Sequence, residues 1–295
     1  MSGPRLRFSR ADGLIVLTAL VWGVNFPVSK YVLAYLPPMF FASVRFFLAS
    51  GILFLVLAAR GKRSAIGGRD FFQLLGLGIL GVTLFQLLWA NGLTLTEAST
   101  ASILLNTSPV WTAVLASLSG QRQSARGIAG IIACFLGTFL VINNSLTRLT
   151  LGGGTLTGNA MFIGAAILWA LYSMLGCGPM IRLGPLKTTA WAMLLGSILL
   201  FPIGLMEVRG AGLALVPATA WTGFAFTIVI PGAIGYVWWY EGIRALGVAR
   251  VMIYSYLVPV FAVITAVLFL GEHFSTAEFV GAVIVFAGVQ IARTG

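Results

Sequence analysis

Polar residues in this chain act as breaks, and apolar residues come in blocks. Apolar runs of about 18–22 residues, the length of a helix crossing a bilayer core, alternate with short interruptions. Examples are Leu36-Pro37-Pro38, Arg60-Gly61-Lys62-Arg63, Gly120-Gln121-Arg122 and Gly184-Pro185. The blocks are continuous and lack period-two alternation, so they predict helices and exclude a membrane barrel. Ten spans are predicted: 12–33, 39–59, 70–92, 96–118, 126–145, 157–178, 186–206, 218–240, 247–269 and 276–293. The longest break runs from Asn143 to Thr157 and carries Gly152-Gly153-Gly154. It reads as a linker, residues 146–156, between five-helix halves at 1–145 and 157–295.

The two halves repeat one another. Trp89, Gly92 and Pro109 recur as Trp239, Gly242 and Pro259, 150 residues later. Gly120, Ser124, Gly130, Phe135 and Gly137 recur as Gly271, Ser275, Gly281, Phe286 and Gly288, 151 residues later. Trp22 and Pro38 recur as Trp169 and Pro185, 147 residues later. A two-fold repeat in an apolar chain points to a secondary transporter whose site lies between the halves. Five helices per half makes the repeat an inverted one. The connection Gly120-Gln-Arg-Gln-Ser-Ala-Arg126 and its partner Gly271-Glu-His-Phe-Ser-Thr-Ala-Glu278 share a framework but exchange arginines for acids and a histidine. Opposite sides of the membrane would select for that difference. The predicted architecture is therefore an all-α integral membrane bundle of ten helices, in two inverted repeats around a central cavity.

Composition agrees. Of the 295 residues 59% are hydrophobic and 8% charged, with a mean hydropathy of +1.01, whereas soluble domains carry about 25% charged residues. The net charge of +11 reads as topology, not as a nucleic-acid surface, because the basic residues sit in short loops. With both termini inside, the inner face collects Arg5, Arg7, Arg10, Arg60, Lys62, Arg63, Arg69, Arg122, Arg126, Arg182, Lys187, Arg244, Arg250 and Arg293. Arg148 and Arg209 remain outside, with Lys30 near a helix end. Arg5, Arg7 and Arg10 before an apolar run imitate a secretory signal. The run from Leu14 to Leu33 is too long for one and has a counterpart around Trp169, so it is expected to stay as the first helix. Cys134 and Cys177 fall inside apolar blocks and read as packing residues, neither a disulfide nor a metal site.

Several motifs resemble one family. Trp22-Gly23-Val24-Asn25-Phe26-Pro27-Val28-Ser29-Lys30 resembles the first-helix motif of the ten-helix EamA-type transporters of the drug/metabolite transporter superfamily. Arg45-Phe46-Phe47 resembles the Arg-Phe motif of their second helix. Ser108-Pro109-Val110, Val258-Pro259-Val260, and Gly271-Glu272-His273 with Gly281 resemble the ends of the two family repeats. The first repeat departs from the pattern at Gln121, where the family often has Glu. The resemblance spans essentially the whole chain. It implies an inner-membrane exporter or exchanger of amino acids or related small metabolites, without a cofactor.

Candidate site residues follow from the cost of breaks and polar groups in lipid. Pro27, Pro109, Pro231 and Pro259 fall inside spans, where a proline frees a backbone carbonyl that needs another partner or an aqueous cavity. They read as packing kinks or as gating hinges, with Pro109 and Pro259 favoured as hinges by their symmetry. Asn106 and Tyr256 lie three residues before that pair, as lining groups or interhelical hydrogen-bonders. Trp22 and Trp169 sit near mid-span and could wall an aromatic pocket. Trp89, Trp238 and Trp239 read as interfacial belt residues. Asn25, Gln86, Tyr172 and Tyr236 complete the substrate-binding set, with Asn91 and Tyr254 as further polar candidates. Lys30 reads as snorkelling to headgroups. Arg45 reads as a tie to helix-end carbonyls, with a counter-charge for a substrate carboxylate as the alternative. Asp12, Asp70, Glu97, Glu207, Glu241, Glu272 and Glu278 all fall at span ends or in loops. That pattern favours facilitated diffusion or exchange over proton-coupled efflux, which needs a buried acid.

Other classes fit poorly. An intramembrane enzyme needs a nucleophile with a base or a set of metal ligands. The one histidine, His273, lies in a predicted loop, and no His-Glu-x-x-His, Gly-x-Ser-x-Gly or phosphate-loop motif occurs. A channel needs a continuous polar path, which these spans lack. The expected partners are a small-molecule substrate and membrane lipid, with no nucleic acid. The substrate itself and the oligomeric state stay open, and a monomer is compatible with the pattern.

Overall fold

A computed structural model of the chain describes residues 9–96, 98–120, 124–143, 155–209, 212–270 and 276–293. Among these, regular structure is all helical. Residues 121–123 and 271–275, the core of the two connections that exchange charge, lie outside the described residues. So do Arg5, Arg7, Glu97, Arg148 and most of the expected linker.

Among the described residues six helical stretches are long and apolar enough to cross a membrane. Two are α1 (Arg10–Leu33) and α2 (Pro38–Ala59). The third, Gly68–Leu95, joins α3 (Gly68–Gly78) to α4 (Phe85–Leu95) through a π-helical segment, Ile79–Leu84. Then follow α5 (Ala98–Leu105), α6 (Ser108–Leu118) and α7 (Ala125–Asn143). The second half begins with α8 (Leu156–Leu175), the short α9 (Cys177–Leu183) and α10 (Pro185–Val208). Its counterpart of the π-containing stretch is Ala218–Leu246, with α11 (Ala218–Thr227), a π segment at Ile228–Ile234 and α12 (Gly235–Leu246). The chain closes with α13 (Val248–Tyr254), α14 (Leu257–Leu270) and α15 (Thr276–Arg293). The remaining predicted spans contain shorter apolar helical stretches, at Ser108–Leu118, Ala125–Leu140 and Phe279–Ala292, and at Val248–Ala262 across α13 and the start of α14.

Two predicted spans are broken where the sequence suggested a bend. The span at 96–118 stops at Leu105 and restarts at Ser108, and the span at 247–269 stops at Tyr254 and restarts at Leu257. Pro109 and Pro259 therefore stand in the first turn of a new helix. There the missing N–H is no loss and the fixed φ favours initiation. Pro27 lies within an unbroken α1, and Pro231 lies inside the second π segment.

The helices of the two halves interlock. α1 packs against α11, α12 and α14, α2 against α10, and α8 against α4, α5 and α6. α7 and α15 pair with each other, and the repeated glycines meet there. A Cβ on Gly137 would stand 2.7 Å from the Gly281 carbonyl, and one on Gly288 would stand 3.0 Å from the Gly130 carbonyl. In lipid no hydrophobic force draws helices together, so close backbone approach through small residues supplies the packing. Cys134 is buried in this same seam, in the packing role its apolar context suggested.

Candidate functional site

Where α1, α2, α4, the α5–α6 break, α8, α12 and the α13–α14 break converge, the bundle leaves a cavity. It holds about 600 Å³ outside the protein's atoms, counting its mouth, and its interior takes water-sized occupants over about 70 Å³. The enclosed part is thus smaller than the usual small-molecule site, roughly 300–1,000 Å³.

One wall is aromatic. Trp22 and Trp169, partners in the repeat, meet edge-to-face with centroids 5.3 Å apart. Trp169 also packs on Tyr236 at 5.3 Å and on Phe85 at 5.4 Å. Trp89 completes the wall from α4, against Phe26 at 5.7 Å. Trp22 Nε1 donates to the Pro231 carbonyl at 3.2 Å. Gly235 makes room for that indole, since a Cβ there would stand 2.8 Å from Nε1. Edge-to-face contacts of this kind contribute about 0.5–1.5 kcal/mol each beyond burial, so the wall is a stiff one.

The polar groups are few and neutral, with one exception. Asn25 accepts from Ser29 Oγ at 3.2 Å. Gln86 stands against Tyr236, with its own Oε1 buried and without a hydrogen-bond partner. Asn106, at the α5–α6 break, donates to the Ser102 carbonyl at 2.7 Å. Ser108 and Ser255 line the cavity from the two breaks. The exception is Arg45, whose Nε donates to the Thr227 carbonyl at 3.0 Å. Thr227 directly precedes the π segment that holds Pro231, so Arg45 ties α2 to the start of that widened turn.

Six of the eight expected binding residues line this cavity: Trp22, Asn25, Gln86, Asn106, Trp169 and Tyr236. The other two stand behind it. Tyr172 is fully buried between Trp169 and Tyr240. Tyr256 sits at the α13–α14 break as expected, but is fully buried on the side of Cys134, and Ser255 and Val258 take its place in the lining. The repeat marks both break positions, yet the side chain that enters depends on how each break turns.

Two further expectations are corrected. Trp89 and Trp239 are not belt residues. Trp89 lines the cavity, and Trp239 is 1% exposed, packed on Trp22 at 5.1 Å and donating to Ser173 Oγ at 3.0 Å. The π-containing stretches run to Leu95 and Leu246, beyond the predicted ends at 92 and 240, which draws both indoles inward. Lys30 does not snorkel to lipid. Its Nζ donates to the Leu93 and Thr96 carbonyls, at 2.5 and 3.1 Å, closing the end of α4. Asp12 stands at a span end as expected, in the first turn of α1. It is fully buried, bound by Arg250 at 2.7 Å and by the Tyr254 hydroxyl at 2.5 Å.

The remaining described carboxylates with placed side chains are also engaged at helix ends. Asp70 pairs with Arg182 at 2.9 Å and Glu241 with Arg244 at 2.5 Å, while Glu207 accepts from the Met39 N–H at 2.7 Å. Among the described residues no group of His, Cys, Asp and Glu could hold a metal ion. Arg60, Lys62, Arg63, Arg182, Lys187 and Arg244 gather around one surface depression, which places these basic residues together at one end of the bundle.

The sequence matches the EamA-like transporter family twice, over residues 9–143 and 156–294. The chain belongs to the EamA-like transporter family. It is a multi-pass membrane protein of a transporter family, in keeping with its apolar helices. An uncharacterized transporter of Archaeoglobus fulgidus is 30% identical, over 96% of this chain and 97% of that protein. A probable amino-acid metabolite efflux pump of Escherichia coli is 28% identical, over 96% of this chain and 95% of that one. A crystal structure 18% identical in sequence superimposes with a TM-score of 0.78, over 96% of this chain and 97% of that chain, which shows a shared fold.

Proposed function

We propose that this EamA-like protein exports amino acids or related small metabolites across a bacterial-type inner membrane by alternating access. The observation that carries the reading is the cavity itself. It forms where helices of both halves cross, beside two helix breaks, and joins an aromatic wall to a handful of neutral polar groups. The name of the Escherichia coli relative, a probable amino-acid metabolite efflux pump, supports the substrate class.

On this reading ten helices form two inverted five-helix repeats, residues 1–145 and 157–295, joined by 146–156. Paired π segments, paired breaks and the meeting of matched glycines on α7 and α15 support the repeat. The grouped basic residues support termini on the cytoplasmic side. Trp22 and Trp169 hold an apolar substrate portion, while Asn25, Gln86, Asn106 and Tyr236 offer hydrogen bonds. Pro109 and Pro259, at the starts of α6 and α14, mark the hinges of the two broken spans. Pro27 and Pro231 lie beside the cavity helices as secondary bending points.

The transport mode is facilitation or exchange, since the described acids with placed side chains are committed to partners at helix ends. Counterflow of labelled amino acids and their derivatives in proteoliposomes tests both parts. Saturable, trans-stimulated flux that persists with the pH gradient collapsed is expected. Strict dependence on that gradient would exclude the facilitator mode, and absence of any flux would exclude the transport reading.

A further inference from the structure

We infer that the cavity recognises a carboxylate on an otherwise uncharged molecule, with Arg45 as its counter-ion. This deepens the transport reading, on which its biological sense rests, by naming the charge of the substrate. An N-acylated derivative of an apolar amino acid is the type of molecule that fits.

Arg45 is 3% exposed, yet its side chain lines the cavity. Everything it touches is neutral. Nε donates to the Thr227 carbonyl, one terminal nitrogen reaches Asn25 Oδ1 at 3.5 Å, and the guanidinium lies 5.5 and 5.1 Å from the ring centres of Phe41 and Phe46. Among the described residues the ion pairs are Asp12–Arg250, Asp70–Arg182 and Glu241–Arg244, none involving Arg45. A guanidinium does not shed its proton as a buried lysine can. Removing it from water costs several kcal/mol, normally recovered through an acid partner. The tie to Thr227 alone needs only a neutral donor, so it does not account for a full charge here. A charge held in this setting is one kept for an anion that arrives from outside.

The rest of the lining narrows the choice. Arg45 is the one charged residue among the described lining residues, so the cavity carries a net positive charge and no acid. An ammonium group would enter with no carboxylate to meet it and with Arg45 repelling it. A zwitterion therefore loses at one end what it gains at the other. Gln86 lines the cavity as a neutral amide, which can meet a neutral N–H but cannot neutralise an ammonium. The aromatic wall takes an apolar side chain. Carboxylate, neutral N–H and apolar body are together the features of an acylated amino acid.

The test uses the purified full chain and four probes that share one side chain and differ in charge. These are N-acetylphenylalanine, phenylalanine, N-acetylphenylalaninamide and phenylalaninamide. Binding is read by quenching of tryptophan fluorescence, and transport by counterflow in proteoliposomes. N-acetylphenylalanine should bind at least about tenfold more tightly than its neutral amide, from one charged hydrogen-bonded contact, and more tightly than phenylalanine. Arg45→Lys should keep that order, and Arg45→Gln should reduce it to within about threefold. If Arg45→Gln does not fold, the wild-type charge series decides alone. Equal binding of the neutral amide, or of phenylalanine, overturns the inference, as does an intact anion preference in Arg45→Gln. Flux of phenylalanine without binding of the anion overturns the inference and leaves the transport reading standing. Binding of the anion with no flux of any probe does the reverse, and neither binding nor flux overturns both.

Discussion

Removing one charge at Asp12 should open the end of the bundle that α1 and α13 hold together. Asp12 is fully buried. Its Oδ1 takes Arg250 at 2.7 Å and the Tyr254 hydroxyl at 2.5 Å, and its Oδ2 takes the Ser9 N–H and Oγ at 2.8 and 2.7 Å. These contacts tie the first turn of α1 to α13, directly before the break that carries the cavity residue Ser255. Asp12→Asn keeps an acceptor for Tyr254 but cancels the ion pair. Breaking a fully buried pair costs about 3–5 kcal/mol. The Arg250 side chain is 18% exposed, which recovers some hydration, so a cost of about 2–3 kcal/mol is expected. If that tie exists only in the closed arrangement, the open one gains roughly 30- to 150-fold in relative population.

The assay is maleimide labelling of Ser255→Cys, in a background carrying Cys134→Ala and Cys177→Ala. Reagent applied from the side of the Arg250 end should label the Asp12→Asn protein roughly thirtyfold faster than its parent, until the open form dominates. Labelling within about twofold of the parent, in protein with an unchanged melting temperature, would show that this buried pair does not hold the end closed.

Other predictions follow from single contacts. Asn106→Ala and Trp169→Ala should each abolish transport at normal expression, and unchanged flux in both would remove the cavity from the transport path. Gly288→Leu should destabilise the protein by about 1–3 kcal/mol in a detergent thermal melt, because its Cβ would stand 2.7 Å from Cys134 Sγ and 2.8 Å from the Cys134 backbone nitrogen. Gly51→Leu, with nothing within 4 Å of the new Cβ, is the neutral control. Lys30→Met should lower stability by about 1 kcal/mol through loss of the cap on α4. A melting point that instead tracked anionic lipid content would mark Lys30 as a headgroup ligand.

The candidate site was only partly legible before folding. Trp22, Asn25, Gln86, Asn106, Trp169 and Tyr236 stand out because polar or bulky aromatic groups deep in a span cost free energy without a purpose, and all six line the cavity. Trp89 also carried a signal, its repeat partner Trp239, but a span end misplaced by three residues turned that signal into an interfacial reading. Ser108 and Ser255 carried almost none. A serine can satisfy its hydroxyl on its own helix, as Ser255 does on the Met252 carbonyl at 2.7 Å, so its presence in a span says little about what it faces.

Hydropathy determined that the chain lives in a bilayer and roughly where its helices fall, and the recurring tryptophans, glycines and prolines related its halves, because length and spacing are properties of one dimension. It could not determine which way a helix faces. In a soluble protein the polar face reports the outside, but in a bilayer lipid and protein interior are equally apolar, so rotation leaves little trace in the sequence. Packing decided that Tyr172 and Tyr256 stand behind the wall and that Trp239 supports it. Packing also decided that Arg45 reaches the Thr227 carbonyl, 182 positions away. The π segments at Ile79–Leu84 and Ile228–Ile234 belong to the same category. Each inserts a wide turn just before cavity residues, Gln86 in one half and Tyr236 in the other. That shift is set by contacts between helices, and no local pattern in the chain announces it.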